Sequence, residues 1–442
     1  MLKKVTLLFA VVLMFASVSN AQWGNQGQWP TTAPFVTGQN HSMAVDPDGK
    51  VWIGRWAAVV KHGVAPGDTL KKPVYLVYVF NPDGTQASFS PIWRILGDTL
   101  FTTNRGMRVG SDGNILFTTG SQPVSLPNFP AAIPQHLYNV NYKTGVGIKK
   151  VQLKYTAAAP AVDGNGNIFI APVVPAASGA PMEIYDKNLT LIGNALNATV
   201  GFSRSFEVSR DGNTIYWAGY NNGVVYVYNR ADEFSAFALK DSLMKGAKAE
   251  SFTWHPINKN QLWISGGSQN DLPSGRFTKG TWYAYDVVQK KVVDSLKWRW
   301  KDWTSEATKA ERPRALAFSL DGKTAYIGTF GIATSDLCQR VVQGGVDVKK
   351  LEEMPAQYEL SQNYPNPFNP ATKIKFSMPV EGMVSLKVYN VVGEEVETLL
   401  DTYKGAGSYE VSFDASNLSS GVYMYTLRTE KMSLTKKMIL VK

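Results

Sequence analysis

The stretches SFEVSRDGNTIYWAG (205–219) and ALAFSLDGKTAYIGT (315–329) share one construction. An alternating apolar segment runs into an Asp-Gly turn, and a second segment rich in aromatic and β-branched residues runs out of it. Alternation with period two is the mark of a strand. Asp-Gly supplies the positive φ that a two-residue hairpin turn requires. Each stretch therefore predicts a β-hairpin, and the question is how many such hairpins the chain contains.

The pattern recurs as HSMAVDPDGKVWIGR (41–55), RGMRVGSDGNILFTTG (105–120), APAVDGNGNIFIAP (159–172) and SFTWHPINKNQLWISGG (251–267), the last with a longer turn through Asn258, Lys259 and Asn260. Second hairpins lie between the copies, at 74–86, 136–148, 182–193, 224–237 and 282–296. The unit is thus four strands repeating every 46 to 64 residues, the period and content of a β-propeller blade. Six copies predict six blades. Seven stays open, because 88–103 has room for further strands. No outer pair follows the sixth hairpin, so residues 22–36, with Trp23 and Trp29, are expected to supply the strand that closes the ring. The turns SRDGNTIYW and SLDGKTAYI resemble those of YVTN-type and NHL-like propellers. That resemblance implies the architecture of 41–330 and leaves activity open, since propellers host binding, hydrolysis, isomerisation and scaffolding.

Composition agrees with an all-β chain. Of 442 residues, 44% are hydrophobic, 12% aromatic and 18% charged, with 38 Gly and 23 Pro. Residues 1–21, MLKKVTLLFAVVLMFASVSNA, read as a signal peptide: Lys3 and Lys4, a short apolar stretch, then Ser19 and Ala21 before a cut at Gln22. No transmembrane segment is expected after cleavage. The lone cysteine, Cys338, excludes an internal disulfide and reads as a buried structural thiol. Residues 22–345 hold 32 Lys+Arg against 23 Asp+Glu, so the basic excess of +9 belongs to the propeller. It permits attraction to anionic glycans or surfaces. No nucleic acid is expected as a partner.

Candidate ligand-binding residues follow from the repeat. Seven residues before the turn Asp, where the innermost strand begins, stand His41, Arg105, Thr156, Arg204 and Arg314, and alignment of the fifth copy adds Glu250. This axial ring predicts an electropositive pocket for a carboxylate or acidic sugar, because a guanidinium fork makes paired charge-assisted hydrogen bonds to an oxyanion. The alternative is that Arg204 simply pairs with Glu250 in a wet channel. KWRWKDW (297–303) suggests a second contact: Trp298 and Trp300 on one face for a sugar ring or partner, Lys297, Arg299 and Lys301 on the other. The competing reading packs the tryptophans between blades. The four histidines show no H-E-x-x-H spacing, no G-x-S-x-G elbow occurs, and one cysteine cannot form C-x-x-C-H. No cofactor is predicted. A divalent metal in the channel stays open, because ligands dispersed around a propeller leave no local motif. The sequence DPDG (46–49) reads as a turn rather than a calcium loop.

The tail has a different texture. Residues 346–360 read as a linker. The run YPNPFNP, Tyr364, Pro365, Asn366, Pro367, Phe368, Asn369 and Pro370, is expected to be stiff and extended. Short alternating strands with glycine turns follow to the C-terminus, predicting a small Ig-like β-sandwich over 361–442. SQNYPNPFNPAT, VSLKVYNVVGEEVETLL, AGSYEVSFDASNLSSGVYMYTL (with Gly421) and KKMILVK (with Lys436 and Lys437) together resemble the type A C-terminal sorting domain of type IX secretion, found in Bacteroidetes and related Gram-negative bacteria. The resemblance implies passage through the periplasm and across the outer membrane by the type IX machinery. It also implies removal of the tail and, for many such cargoes, attachment to surface lipopolysaccharide. The proline run would then hold the sandwich away from the propeller. For the propeller itself, three readings follow: a binding or surface-interaction module for an anionic or carbohydrate ligand, an extracellular hydrolase or lyase for acidic sugars or lactones, or a structural surface protein.

Overall fold

A computed structural model describes residues 23–31, 40–61, 72–120, 133–173, 180–199, 203–267, 277–298, 313–330, 338–344, 348–351, 357–380, 382–404, 407–429 and 432–442. Residues 1–21, read from the sequence as a signal peptide, lie outside them. All regular secondary structure among the described residues is β-strand, and no helix is long and apolar enough to cross a membrane.

Between Trp23 and Gln343 the strands form six antiparallel sheets in chain order, apart from one two-stranded insertion. The first comprises Asn40–Val45, Val51–Lys61 and Lys72–Phe80. The second runs from Asn104–Val109 to Gly147–Leu153, the third from Ala161–Val162 to Leu191–Leu196, the fourth from Phe206–Val208 to Ala238–Leu243, and the fifth from Phe252–Trp254 to Lys291–Lys297. The sixth takes Pro313–Phe318, Thr324–Thr329 and Cys338–Gln343, then borrows Trp23–Gln28 from the far end of the chain as its outer strand. The 88–103 segment makes no further four-stranded sheet. It folds as the hairpin of Arg94–Ile95 and Asp98–Thr99, and its backbone bonds the outer edge of the first sheet through Val77, Ile92, Tyr75 and Leu100.

Packing closes the six sheets into a β-propeller. Ala44, Trp52 and Val77 of the first sheet pack on Met107, Ile115 and Phe117 of the second. Leu116 and Leu137 then meet Ile168 and Ile170 of the third sheet, and Phe169 and Met182 meet Phe206 and Trp217 of the fourth. Tyr216 and Val225 meet Phe252 and Leu262 of the fifth, and Trp263 and Trp282 meet Leu316 and Ile327 of the sixth. Ala315, Ala317 and Cys338 of the sixth sheet return to Met43, Val51 and Ile53 of the first. Successive residues of one strand thus face opposite neighbours, so both faces are covered and the strands read as apolar runs. The turns are pinned by side chains. Asp46 Oδ1 accepts from the amides of Asp48 and Lys50 at 3.0 and 2.9 Å, and Gly49 takes φ +81°.

The tail forms two four-stranded sheets. One holds Val348–Leu351, Gly407–Asp414, Ala371–Met378 and Glu359–Leu360, and the other Glu395–Lys404, Gly382–Tyr389, Gly421–Thr429 and Ser433–Leu440. Ile374, Phe376 and Val411 of the first share one apolar core with Val384, Leu386, Tyr425 and Leu427 of the second. Two expectations are corrected here. The linker 346–360 is not featureless, because Val348–Leu351 pairs with Gly407–Asp414. The proline run is not a spacer. Phe368 is buried and exchanges backbone bonds with Ile439 and Val441 at 3.0 and 2.9 Å, and the Asn366 side chain accepts from the Ile439 amide at 2.9 Å. Prolines need no donor partner, yet their carbonyls still accept: Pro365 O takes bonds from Asn363 Nδ2 and Thr372 Oγ1. The run therefore closes one end of the tail's own core. Tyr364 is left 81% exposed, and Lys436 and Lys437 lie exposed on the last strand. The tail also touches the closing sheet. Buried Lys404 donates to Gln26 O at 2.7 Å, and Arg340 donates to Thr402 Oγ1 at 2.5 Å.

Candidate functional site

The repeat places the start of every innermost strand at one end of the axis. His41, Arg105, Arg204, Glu250 and Arg314 consequently line a single cavity of about 40 Å³. Glu250, fully buried, is the hub: Oε1 lies 3.1 Å from Arg204 Nε and 2.9 Å from an Arg314 terminal nitrogen, and Oε2 accepts from Arg314 Nε at 3.1 Å. Each arginine also lies against a ring carried on or just past the second strand of its own or a neighbouring sheet. Arg105 covers Trp56 at 4.2 Å, Arg314 covers Phe330 at 4.5 Å and Arg204 covers Tyr220 at 4.8 Å. His41 sits between Trp56 and Phe330, with ring centroids at 5.1 and 5.5 Å.

The ring carries three guanidiniums against one carboxylate. Arg105 Nε has no hydrogen-bond partner among the described residues. Burial first, and then the charges of Arg204 and Arg314, push the Arg105 pKa down to about 10. It remains protonated at neutral pH, with its positive charge incompletely compensated. His41 Nδ1 lies 3.1 Å from Arg105 O, so the Nδ1–H tautomer donates there and leaves Nε2 as the basic nitrogen. Burial and the three arginines hold the imidazole well below its usual pKa. This donor set does not suit a divalent cation, which would meet three fixed positive charges around a single carboxylate. Among the described residues, no three His, Cys, Asp or Glu side chains converge on one point.

Thr156 does not line the cavity. Gly166, not Gly164, takes the positive φ of the third turn, at +85°. Asp163 therefore matches Asp46, and Asn165 matches Asp48. Seven residues back from Asn165 is Ala158, and the third sheet offers Ala159 to the cavity. Trp298 is corrected too: at 1% exposure it packs with Trp263, Trp282 and Leu316 between the fifth and sixth sheets and cannot stack on a glycan. Lys297 is exposed at the end of its strand. Arg299, Trp300 and Lys301 lie outside the described residues.

Sequence reading missed the bridge across the channel. Arg108 donates to Glu207 Oε2 through Nε at 3.1 Å and a terminal nitrogen at 2.9 Å, and that terminal nitrogen also reaches Phe252 O at 2.5 Å. The bridge joins the second sheet to the fourth and fifth. Burial raises the Glu207 pKa against the pull of Arg108. A signal was present: the same position of the strand holds Ala44, Thr253 and Ala317 in other copies, so a charge there is anomalous. Beyond the bridge, toward the Asp-Gly turns, lies a second cavity of about 380 Å³ that shares Met43, Met107, Arg108 and Leu316 with the first.

The titration of the histidines has a sign. Burial leads in depressing His41, His136 and His255 below 6.5. As pH falls, the unfolded chain binds these protons first. The stability they contribute is complete above pH 6.5 or so and is lost below it. We expect a lower thermal midpoint at pH 5.5 than at pH 7.5, read by differential scanning calorimetry, and a smaller difference in His41→Gln.

Residues 362–442 match a family described as the secretion system C-terminal sorting domain. No curated protein matches the chain. Among solved structures, the chain is similar to an auxiliary nutrient binding protein from Bacteroides ovatus, at 10% identity and TM-score 0.46, over 73% of this chain and 76% of that one. It is similar to a periplasmic gluconolactonase from Pseudomonas aeruginosa, at 12% identity and TM-score 0.40, over 81% and 99%. It is also similar to the calcium-binding protein regucalcin from Agrobacterium tumefaciens, at 13% identity and TM-score 0.44, over 73% and 96%. The closed ring of sheets makes the molecule a β-propeller, and residues 362–442 give it a secretion-system sorting domain, which implies export by way of the type IX machinery.

Proposed function

We propose that this is a six-bladed propeller cargo with an Ig-like sorting sandwich, led to the periplasm by residues 1–21 and released from or attached to the cell surface, with lipopolysaccharide as the attachment partner. At the axial ring it binds a small carboxylated sugar. The observation that carries this reading is the convergence of three arginines, each backed by an aromatic ring, on a cavity with one carboxylate. Glu250 engages Arg204 and Arg314, and the charge excess at Arg105 suits an incoming carboxylate. A guanidinium fork held in place against a ring matches the anionic end of a uronate. Calorimetric titration with glucuronate and galacturonate, against glucose and galactose, tests it. Arg105→Ala should weaken uronate binding about 10- to 100-fold, the equivalent of one hydrogen bond to a charged group. Equal binding of neutral and acidic sugars would defeat the reading.

His41 supports a second reading, a lyase or hydrolase for acidic sugars. A neutral imidazole beside guanidiniums that neutralise a carboxylate is the pairing needed to remove a proton next to that carboxylate. Ultraviolet-absorbing unsaturated products from a polyuronate, lost in His41→Gln, would favour it. Binding without turnover would favour the module.

A further inference from the structure

The channel mouth opposite the ring continues outward. The 380 Å³ cavity at the Asp-Gly turns and a groove of about 600 Å³ between the fourth and fifth sheets share Arg210 and Trp254 as lining residues. The groove is lined further by Lys240, Lys259 and Lys290, with Tyr285 and Tyr216 beside Trp254. Arg210, Lys240, Lys259 and Lys290 are all exposed, and none has an ion-pair partner among the described residues. They come from four separate hairpins, so their convergence follows from the folding of two adjacent blades. The Trp254 indole is fixed by its Nε1–H, which donates to Val208 O at 2.8 Å, and it meets Tyr216 edge-on at 5.8 Å.

We infer that this groove binds a stretch of acidic polysaccharide. Four unpaired cations supply attraction, and the ordered rings supply flat apolar surface for pyranose faces. Asp211 and Asp241 also line the groove. Carboxylates accept hydrogen bonds from sugar hydroxyls. They would repel a nucleic acid, whose phosphates crowd one charge into each 1.7 Å or so of duplex, whereas a uronate polymer spaces its charges one residue apart and tolerates them. The groove shares no lining residue with the axial-ring cavity, so either can fail without the other.

The probe is polygalacturonate, with dextran as the neutral control, in affinity electrophoresis of the full chain at two salt concentrations. The wild type should be retarded by polygalacturonate, less so at higher salt, and not by dextran. The triple substitution Lys240→Glu, Lys259→Glu, Lys290→Glu should cut the affinity at least tenfold while the thermal midpoint and monomeric uronate binding at the ring stay unchanged. Arg105→Ala should leave polymer retardation intact. Retardation of the triple variant equal to wild type, equal retardation by dextran, or tighter binding of duplex DNA than of polygalacturonate at the same salt would each overturn the assignment.

Discussion

Deleting residues 361–442 should abolish secretion and leave a folded propeller in the periplasm. The reasons are structural as well as familial. The tail has its own apolar core, and the strand pairing that closes the propeller, Trp23–Gln28 on Cys338–Gln343, lies wholly outside the deleted segment. Among the described residues, the truncated chain loses the Lys404 and Arg340 ties across the boundary, together with the pairings of Val348–Leu351 and Glu359–Leu360. Fractionation should place the protein in the periplasm, and extracellular protein should fall to background. The full tail fused to a passenger with its own signal peptide should appear outside the cell. Normal secretion of the truncated chain would refute the sorting role. A point change separates folding of the tail from recognition: Phe368→Ala empties a buried position in the tail core and should cost about 3–5 kcal/mol of that domain's stability, with export falling in parallel.

The second large effect is expected at Glu250. Glu250→Ala removes the carboxylate that engages Arg204 and Arg314 and leaves three guanidiniums facing one another in a small axial cavity. Breaking a buried ion pair by removing one partner costs about 3–5 kcal/mol. Denaturant unfolding should show the propeller transition shifted by that order. The double substitution Glu250→Leu, Arg314→Met should recover much of the loss, because it removes a buried charge together with its partner. A Glu250→Ala variant as stable as wild type would mean that solvent already screens the ring.

Much of the fold was legible because period-two alternation and Asp-Gly turns are local. The six inner hairpins, the borrowed outer strand with Trp23 and the alternating strands of the tail all follow from such patterns. Four of the six ring positions came from counting back from the turn, since a strand of constant length ends where it must, and Glu250 came from aligning the fifth copy. The third failed because VDGNG offers two Asp/Asn-Gly pairs, and only the backbone shows that Gly166 takes the positive φ. Trp298 failed for a related reason: KWRWKDW states which residues alternate but not which face another sheet covers.

From the order of its residues alone, the chain declares its strands, its turns, its charge balance and the identity of its last eighty or so residues, because each of these is written within a few neighbouring positions. The tertiary structure decided the rest. It brought Arg108 to Glu207 across 99 positions, buried Trp298 between blades, folded the proline run back onto the final strand and gathered four cations around Trp254. Those arrangements depend on which faces meet when the ring closes, and spacing along the chain does not encode that meeting.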